Sequence, residues 1–118
     1  MMIQRIAVLT SGGDAPGMNA AIRSVVRCAV EKGWSTFGVR NGFQGLINGT
    51  FEPLGTREVG GILHRGGTVL GSARCEEFMT VEGRELAIRN LNQRGVDALV
   101  VIGGNGSQAG ANALFKMD

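Results

Sequence analysis

The sequence predicts an α/β fold, built as an open and mostly parallel sheet with helices on both faces. Two observations carry this. An apolar run, a glycine-rich turn and then helical spacing follow one another twice, once after Ile6 and again after Val100. The second run, Val96-Asp97-Ala98-Leu99-Val100-Val101-Ile102, is short, rich in β-branched residues and preceded by Gly95. That is the pattern of a strand buried on both faces, as in parallel sheets. Parallel neighbours need a crossover, which is usually a helix, so repeated strand–turn–helix units point to a Rossmann-like sheet.

Taken in order, Arg5-Ile6-Ala7-Val8-Leu9-Thr10 reads as the first strand and Ser11 to Gly17 as a loop. Met18, Ala21, Ile22, Val25, Val26, Ala29 and Val30 then recur at helical spacing, and Gly33 is placed to end that helix. Trp34 to Val39 is a second, weaker strand, and Asn41 to Gly49 a loop. Phe43 in that loop packs either on a ligand or on the core, and the general bias of aromatics favours the core. Arg57 to Leu63 reads as a short helix. Arg65 to Arg74 is a third glycine-rich piece, with a brief strand near Val69 ending at Ser72 to Arg74. Glu82 to Arg94 is a helix with Leu86, Ala87, Asn90 and Leu91 on one face, capped by Gly95. After the central strand, Ala109, Ala111, Ala113 and Leu114 suggest a last helix running to Asp118. Strands near Ile6, Phe37, Val69 and Val100 leave an exposed edge, and ending on a helix leaves the next strand missing. The chain is therefore expected to be a fragment, or a truncated product, of a longer one.

Composition bounds the function. With 118 residues, a formal charge of +2 and 43% hydrophobic residues, the chain fits one small domain. No apolar run approaches the roughly 18 residues of a membrane span, and no signal-peptide pattern opens the chain. The basic residues are scattered, which gives no reason to invoke nucleic acid or a membrane surface. Cys28 and Cys75 make neither a disulfide framework nor a metal cluster, and His64 stands alone, so a reducing, cytoplasmic setting is expected. Glycine is the outlier: 20 residues without repeats, the kind of usage found where backbone turns sharply or touches a ligand.

The glycine turns carry the chemistry. A strand running through Gly103-Gly104-Asn105-Gly106-Ser107 into a helix presents free backbone N–H groups where the helix dipole favours an anion. Ser107 can cap the helix or bind a phosphate oxygen. An ordinary strand-to-helix turn is the alternative. Ser11 to Gly17 repeats the arrangement, and two such loops at the same ends of parallel strands would face each other across a ligand crevice. Neither loop is a Walker-type or dinucleotide fingerprint. Arg74, at a predicted strand end beside small residues, either forks onto a phosphate or sits on the surface. Arg23 and Arg27 are four apart and share a helix face, which is either a solvated basic face or an anion contact.

Three segments together resemble the amino-terminal part of the ATP-dependent 6-phosphofructokinase family, across essentially the whole chain. They are Leu9 to Arg23, which contains Ser11-Gly12-Gly13-Asp14-Ala15-Pro16-Gly17-Met18-Asn19, then Gly66 to Arg74, then Val101 to Ser107. The resemblance implies transfer of the γ-phosphoryl of Mg·ATP to the primary hydroxyl of fructose 6-phosphate, giving fructose 1,6-bisphosphate in glycolysis. It implies that residues 1–118 are the nucleotide-side part of the domain. Gly12 would offer its backbone N–H near the transferring group, and Arg74 would stabilise phosphate charge during transfer. Cys75 would border the nucleotide. Gly104, Asn105, Gly106 and Ser107 would cradle ATP phosphates, glycine at 106 being the family's ATP-type residue where pyrophosphate-using relatives tend to carry aspartate. Arg23 and Arg27 would bind the phosphates of a nucleotide or other phosphorylated effector at a neighbouring subunit, in a homo-oligomer that is a tetramer in the family.

The chain departs from the family in four places. Asn105 stands where an aspartate organises Mg²⁺; asparagine offers a neutral oxygen, whereas Mg²⁺ prefers carboxylates and water. Met79 replaces a common arginine near the nucleotide. An effector-site arginine expected near Thr56 is absent, with Arg57 only adjacent. The family's catalytic base, an aspartate in a Thr-Ile-Asp motif, lies beyond Asp118, as do the fructose 6-phosphate contacts, so the isolated chain is expected to be inactive. Asn105 and the missing carboxyl half also fit a non-catalytic nucleotide- or effector-binding fragment or subunit. NAD and lipid kinases share a Gly-Gly-Asp-Gly turn but lack the Ala15-Pro16-Gly17-Met18-Asn19 and Gly71-Ser72-Ala73-Arg74 segments.

Overall fold

A computed structural model describes residues 3–11, 17–61, 69–71, 78 and 80–103. In chain order the elements are β1 (Arg5–Thr10), α1 (Met18–Glu31), β2 (Ser35–Val39), α2 (Phe43–Asn48), β3 (Phe51–Leu54), α3 (Thr56–Val59), α4 (Val81–Gln93) and β4 (Ala98–Ile102). The strands form one open sheet in the order β3-β2-β1-β4. β1 runs parallel to both neighbours, with Ile6 opposite Thr36 on β2 and Ala98 on β4. β3 adds antiparallel to β2, with Leu54 opposite Thr36.

β1 is the centre of the sheet. Residues Ile6 to Thr10 are all buried, as a strand covered on both faces requires. Alternation divides its side chains between two cores. Ala7 and Leu9 pack with Val39, Phe43, Leu46, Ile47, Phe78 and Ala87. Val8 packs with Ile22, Val26, Leu54, Val59 and Leu70. Thus α1 and α3 cover one face and α2 and α4 the other, the two-sided α/β arrangement expected from sequence.

The two crossover helices end alike. After α1, the Gly33 N–H (φ 76°) donates to the Val30 carbonyl at 3.0 Å and the Trp34 N–H to the Ala29 carbonyl at 2.8 Å. After α4, the Gly95 N–H (φ 66°) donates to the Asn92 carbonyl at 3.0 Å and the Val96 N–H to the Leu91 carbonyl at 3.0 Å. Both are Schellman closures, and both need the left-handed conformation that glycine adopts without strain. Each strand then engages the start of β1. The Ser35 N–H donates to the Gln4 carbonyl and the Asp97 N–H to the Arg5 carbonyl, both at 2.8 Å. The Asp97 carboxylate accepts back from the N–H groups of Gln4 at 2.8 Å and Arg5 at 3.0 Å. Those backbone donors favour the charged form and hold its pKa below the ordinary 3.8.

The structure differs from the sequence expectation at several elements. The stretch Asn41 to Gly49 holds α2, and β3 follows it. Six residues of helix cannot stand alone in water. Here the helix is fastened by the Asn90 amide, whose Nδ2 donates to the carbonyls of Leu46 at 2.7 Å and Ile47 at 3.0 Å. Phe43 lies 4.3 Å, centroid to centroid, from Phe78 and belongs to the core. β3 accommodates Pro53 because an edge strand can lack one ladder donor. Val69 and Leu70 form a bend, not a strand. The short helix covers Thr56–Val59, with Arg57 inside it. On α4, Ile88 packs inward with Ala87 and Leu91, while Leu86 is exposed; on α1, Val30 is exposed. β4 is half-buried along its length, because it is an edge strand of the described sheet with one strand neighbour only. The last helix expected before Asp118, and His64, lie outside the described residues.

Two outcomes follow. Asn90→Ala leaves the last carbonyls of α2 without their shared donor, and should lower stability to urea unfolding by about 1–2 kcal/mol. The depressed pKa of Asp97 means its contribution is full above the unfolded-state value, about 4, and is lost as pH falls through the folded one. Asp97→Ala should therefore be less stable than the parent at neutral pH and close to it in strong acid, as read by unfolding curves along a pH series.

Candidate functional site

The topology places a crevice before any side chain is considered. From β1 the chain passes through α1, on one face, to β2. From α4, on the other face, it enters β4, which lies on the opposite side of β1. Such a switch point opens a gap at the carboxyl ends of the two strands, where α/β sheets bind ligands. Thr10 is opposite Ile102 in register, and the Ser11 N–H donates to the Ile102 carbonyl at 2.9 Å. The chain thus leaves β1 and β4 side by side at the same end of the sheet. These are the departure points of the two glycine turns singled out in the sequence.

The first turn of α1 returns to this end. Its N-cap is Gly17 (φ 94°); no side chain caps it, and no acidic residue lies in its first turn. In contrast, α4 starts with Thr80, whose Oγ1 accepts from the Gly83 N–H at 3.0 Å, and with Glu82 in its first turn. α4 is closed by its own sequence. Among the described residues, α1 keeps the positive end of its dipole uncompensated by side chains, which suits an anion.

A third segment is fastened to the same end. Val69, Leu70 and Gly71 have no strand partner, yet Leu70 is fully buried. Their backbone groups are met by side chains and by a turn. The Val69 N–H donates to Asn19 Oδ1 at 2.6 Å, and Arg40 Nη1 donates to the Val69 carbonyl at 2.8 Å. The Asn41 N–H donates to the Leu70 carbonyl at 3.0 Å, and Thr10 Oγ1 to the Gly71 carbonyl at 2.9 Å. Asn41 sits in the left-handed region (φ 63°), which asparagine tolerates better than most residues. Arg40 is itself held by Glu52 at 3.1 Å. Further on, Phe78 is buried against Phe43, and its carbonyl accepts from Arg84 Nη1 at 3.2 Å. Leu70 belongs to the core under α1, Phe78 to the core under α4. In the sequence, Arg74 falls between these two anchored residues.

Of the site residues expected from sequence, Gly12, Arg74, Cys75, Gly104, Asn105, Gly106 and Ser107 lie outside the described residues. The structure brings together the backbone that enters each of their segments: Thr10–Ser11, Gly71 and Ile102–Gly103. Arg23 and Arg27 stand on α1. Arg27 is exposed, while Arg23 is half-buried and its Nε is buried without a hydrogen-bond partner. Among the described residues no group of three or more His, Cys, Asp or Glu side chains can hold a metal ion. No helix among them is long and apolar enough to cross a membrane. The sequence reading missed the framework residues Thr10, Asn19, Arg40 and Asn41. The available signal was a polar residue at the end of an apolar strand, Thr10, and another opening an amphipathic helix, Asn19.

The family model described as Phosphofructokinase matches residues 5–118. The ATP-dependent 6-phosphofructokinase of Thermotoga petrophila is 55% identical over 114 residues, covering 97% of this chain and 36% of the relative. That of Bacillus pumilus is 56% identical over 115 residues, covering 98% and 36%. The chain spans about a third of the length of these relatives. The crystal structure of Pichia pastoris phosphofructokinase superimposes with a TM-score of 0.93 at 44% identity, over 98% of this chain and 13% of that one. A pyrophosphate-dependent phosphofructokinase from Marinobacter aquaeolei shares the fold, with a TM-score of 0.80 at 21% identity over 98% of this chain and 30% of that one.

Proposed function

Because the chain belongs to the phosphofructokinase family, we propose that residues 1–118 form the nucleotide side of a site that transfers the γ-phosphoryl of ATP to the primary hydroxyl of fructose 6-phosphate. One observation supports this most. The two glycine turns leave adjacent parallel strands at the same end of the sheet, beside the open start of α1. Backbone N–H groups from Gly12 and from Gly104 to Ser107 then act on one triphosphate from two sides. Glycine matters at these positions because a Cβ would hold a phosphate off the backbone.

The chemistry asked of this chain is electrostatic. Phosphoryl transfer spreads charge over the equatorial oxygens, and fixed donors lower the barrier by meeting that charge where it develops. The Gly12 amide and the Arg74 guanidinium serve there, and Cys75 borders the nucleotide. The ATP reading agrees with Gly106 and with the names of the relatives. Mg²⁺ would partly neutralise the phosphates when bound. Asn105 gives it an amide oxygen in place of a carboxylate, and the described residues add no acidic cluster. With an amide at position 105 the ion would be held mainly by the ATP phosphates, and no step here depends on it.

The proton of the sugar hydroxyl needs a base. No Thr-Ile-Asp motif occurs in residues 1–118, so the base and most fructose 6-phosphate contacts are assigned to sequence following Asp118 in the longer relatives. Arg23 and Arg27 are assigned to effector phosphates in a homo-oligomer, a reading supported by the unpartnered, buried Nε of Arg23.

A coupled assay tests this. The 118-residue chain should show no turnover, and the chain extended to the length of its relatives should consume ATP only with fructose 6-phosphate. Turnover by the short chain would overturn the assignment of the base, and activity on NAD or a lipid would overturn the substrate. In the extended enzyme, Arg74→Ala should lower kcat by about 100-fold or more while changing KM for ATP far less, since its contact strengthens in the transition state.

A further inference from the structure

We propose that Thr10 and Asn19 are positioning residues that tie both ends of the first glycine turn to the segment leading to Arg74. This rests on the reading that Gly12 and Arg74 act on the same phosphoryl group. Thr10 is the last residue of β1 and enters the turn; Asn19 lies in the first turn of α1, just after the turn ends. Both reach the same three residues. Thr10 Oγ1 donates to the Gly71 carbonyl at 2.9 Å, and Asn19 Oδ1 accepts from the Val69 N–H at 2.6 Å. The turn carrying Gly12 is thus anchored at entry and exit to Val69–Gly71, and Arg74 follows three residues later.

Burial sets the character of these contacts. Thr10 is 0% exposed and Asn19 3%, so neither presents a side chain to solvent at the crevice. They act through the backbone they hold. A buried hydroxyl or amide is costly unless bonded, and valine or leucine would fill these positions without that cost. What the polar side chains supply is registry. They fix the distance between an amide on one segment and a guanidinium on another, and transfer depends on that distance.

The test is steady-state kinetics on the extended enzyme, with thermal midpoints measured alongside. Thr10→Val keeps the shape and removes the donor. It should lower kcat by about 10- to 100-fold, the scale of an ångström-level misplacement, with KM for ATP within about threefold. Thr10→Ser, which keeps the hydroxyl, should restore most of kcat. In an Arg74→Ala background, Thr10→Val should cost nothing further, because Thr10 acts through Arg74. Additive losses in the double variant, or a loss that serine does not restore, would overturn the proposal. If Thr10→Val does not fold, Asn19→Ala and Asn19→Asp enter the same cycle, aspartate keeping the acceptor that Val69 needs. An Arg74→Ala enzyme with full kcat would overturn the functional reading beneath. An impaired Arg74→Ala beside an unimpaired Thr10→Val would overturn the positioning role alone.

Discussion

The parallel pairing of β1 with β4 is the constraint on which the rest depends. It places the carboxyl ends of two strands side by side and closes the pair with the Ser11 N–H on the Ile102 carbonyl. A parallel neighbour cannot be reached by a hairpin, so each side of β1 needs its own crossover. The chain supplies α1 to one side and α4 to the other, and they fall on opposite faces. From this follow the two separate cores and the burial of Ile6 to Thr10 on β1. A sheet with β4 elsewhere would keep every helix and separate the carboxyl ends of these two strands.

The two crossovers are built alike at one end and differently at the other. Both close with a Schellman glycine, and both deliver a strand whose first N–H groups bind the start of β1. That end of the sheet is satisfied by its own backbone and by the Asp97 carboxylate. The opposite end is not finished in the same way. α4 starts with a threonine cap, whereas α1 starts with a glycine and no side-chain cap. The two helix starts at this end thus differ, α4 closed by its own side chain and α1 not.

Much of this was legible in the chain. β1 has the bounds its apolar run suggests, and α1 and α4 follow their apolar spacing and terminal glycines to within one or two residues. These are long, periodic signals. The same reading took α2 for a loop and gave the residues of β3 no element. α2 is six residues long with a glycine inside it, and β3 is four residues long and carries Pro53. Neither is stable by local preference; both exist because Asn90 and the phenylalanines reach them from elsewhere. Val69 failed in the other direction. A short apolar run looks like a strand, but here it caps a core without pairing. The glycine motifs of the proposed site could be read from the letters alone. Its framework could not, since Thr10 and Gly71 lie 61 residues apart, and Asn19 and Val69 50.

The irregular segment Val69–Gly71 shows why polar side chains stand in the interior at all. A strand satisfies its backbone by pairing; an irregular stretch has no such ladder, and burying it leaves donors and acceptors stranded. Leu70 nonetheless belongs inside, because it completes the core under α1. The conflict is resolved by substituting side chains for a neighbouring strand. Asn19 accepts from one N–H; Arg40, Asn41 and Thr10 donate to three successive carbonyls. These partners come from α1, from the turn after β2 and from β1, so the segment is bound to three elements at once. A ladder rung can slip by one register with its strand, but a segment held from three directions has no register to slip along. An apolar contact would bury Leu70 equally well and leave the backbone beside it free to shift. Directional bonds to fixed elements remove that freedom, so the backbone of Val69–Gly71 is held in one place by α1, β1 and the turn after β2.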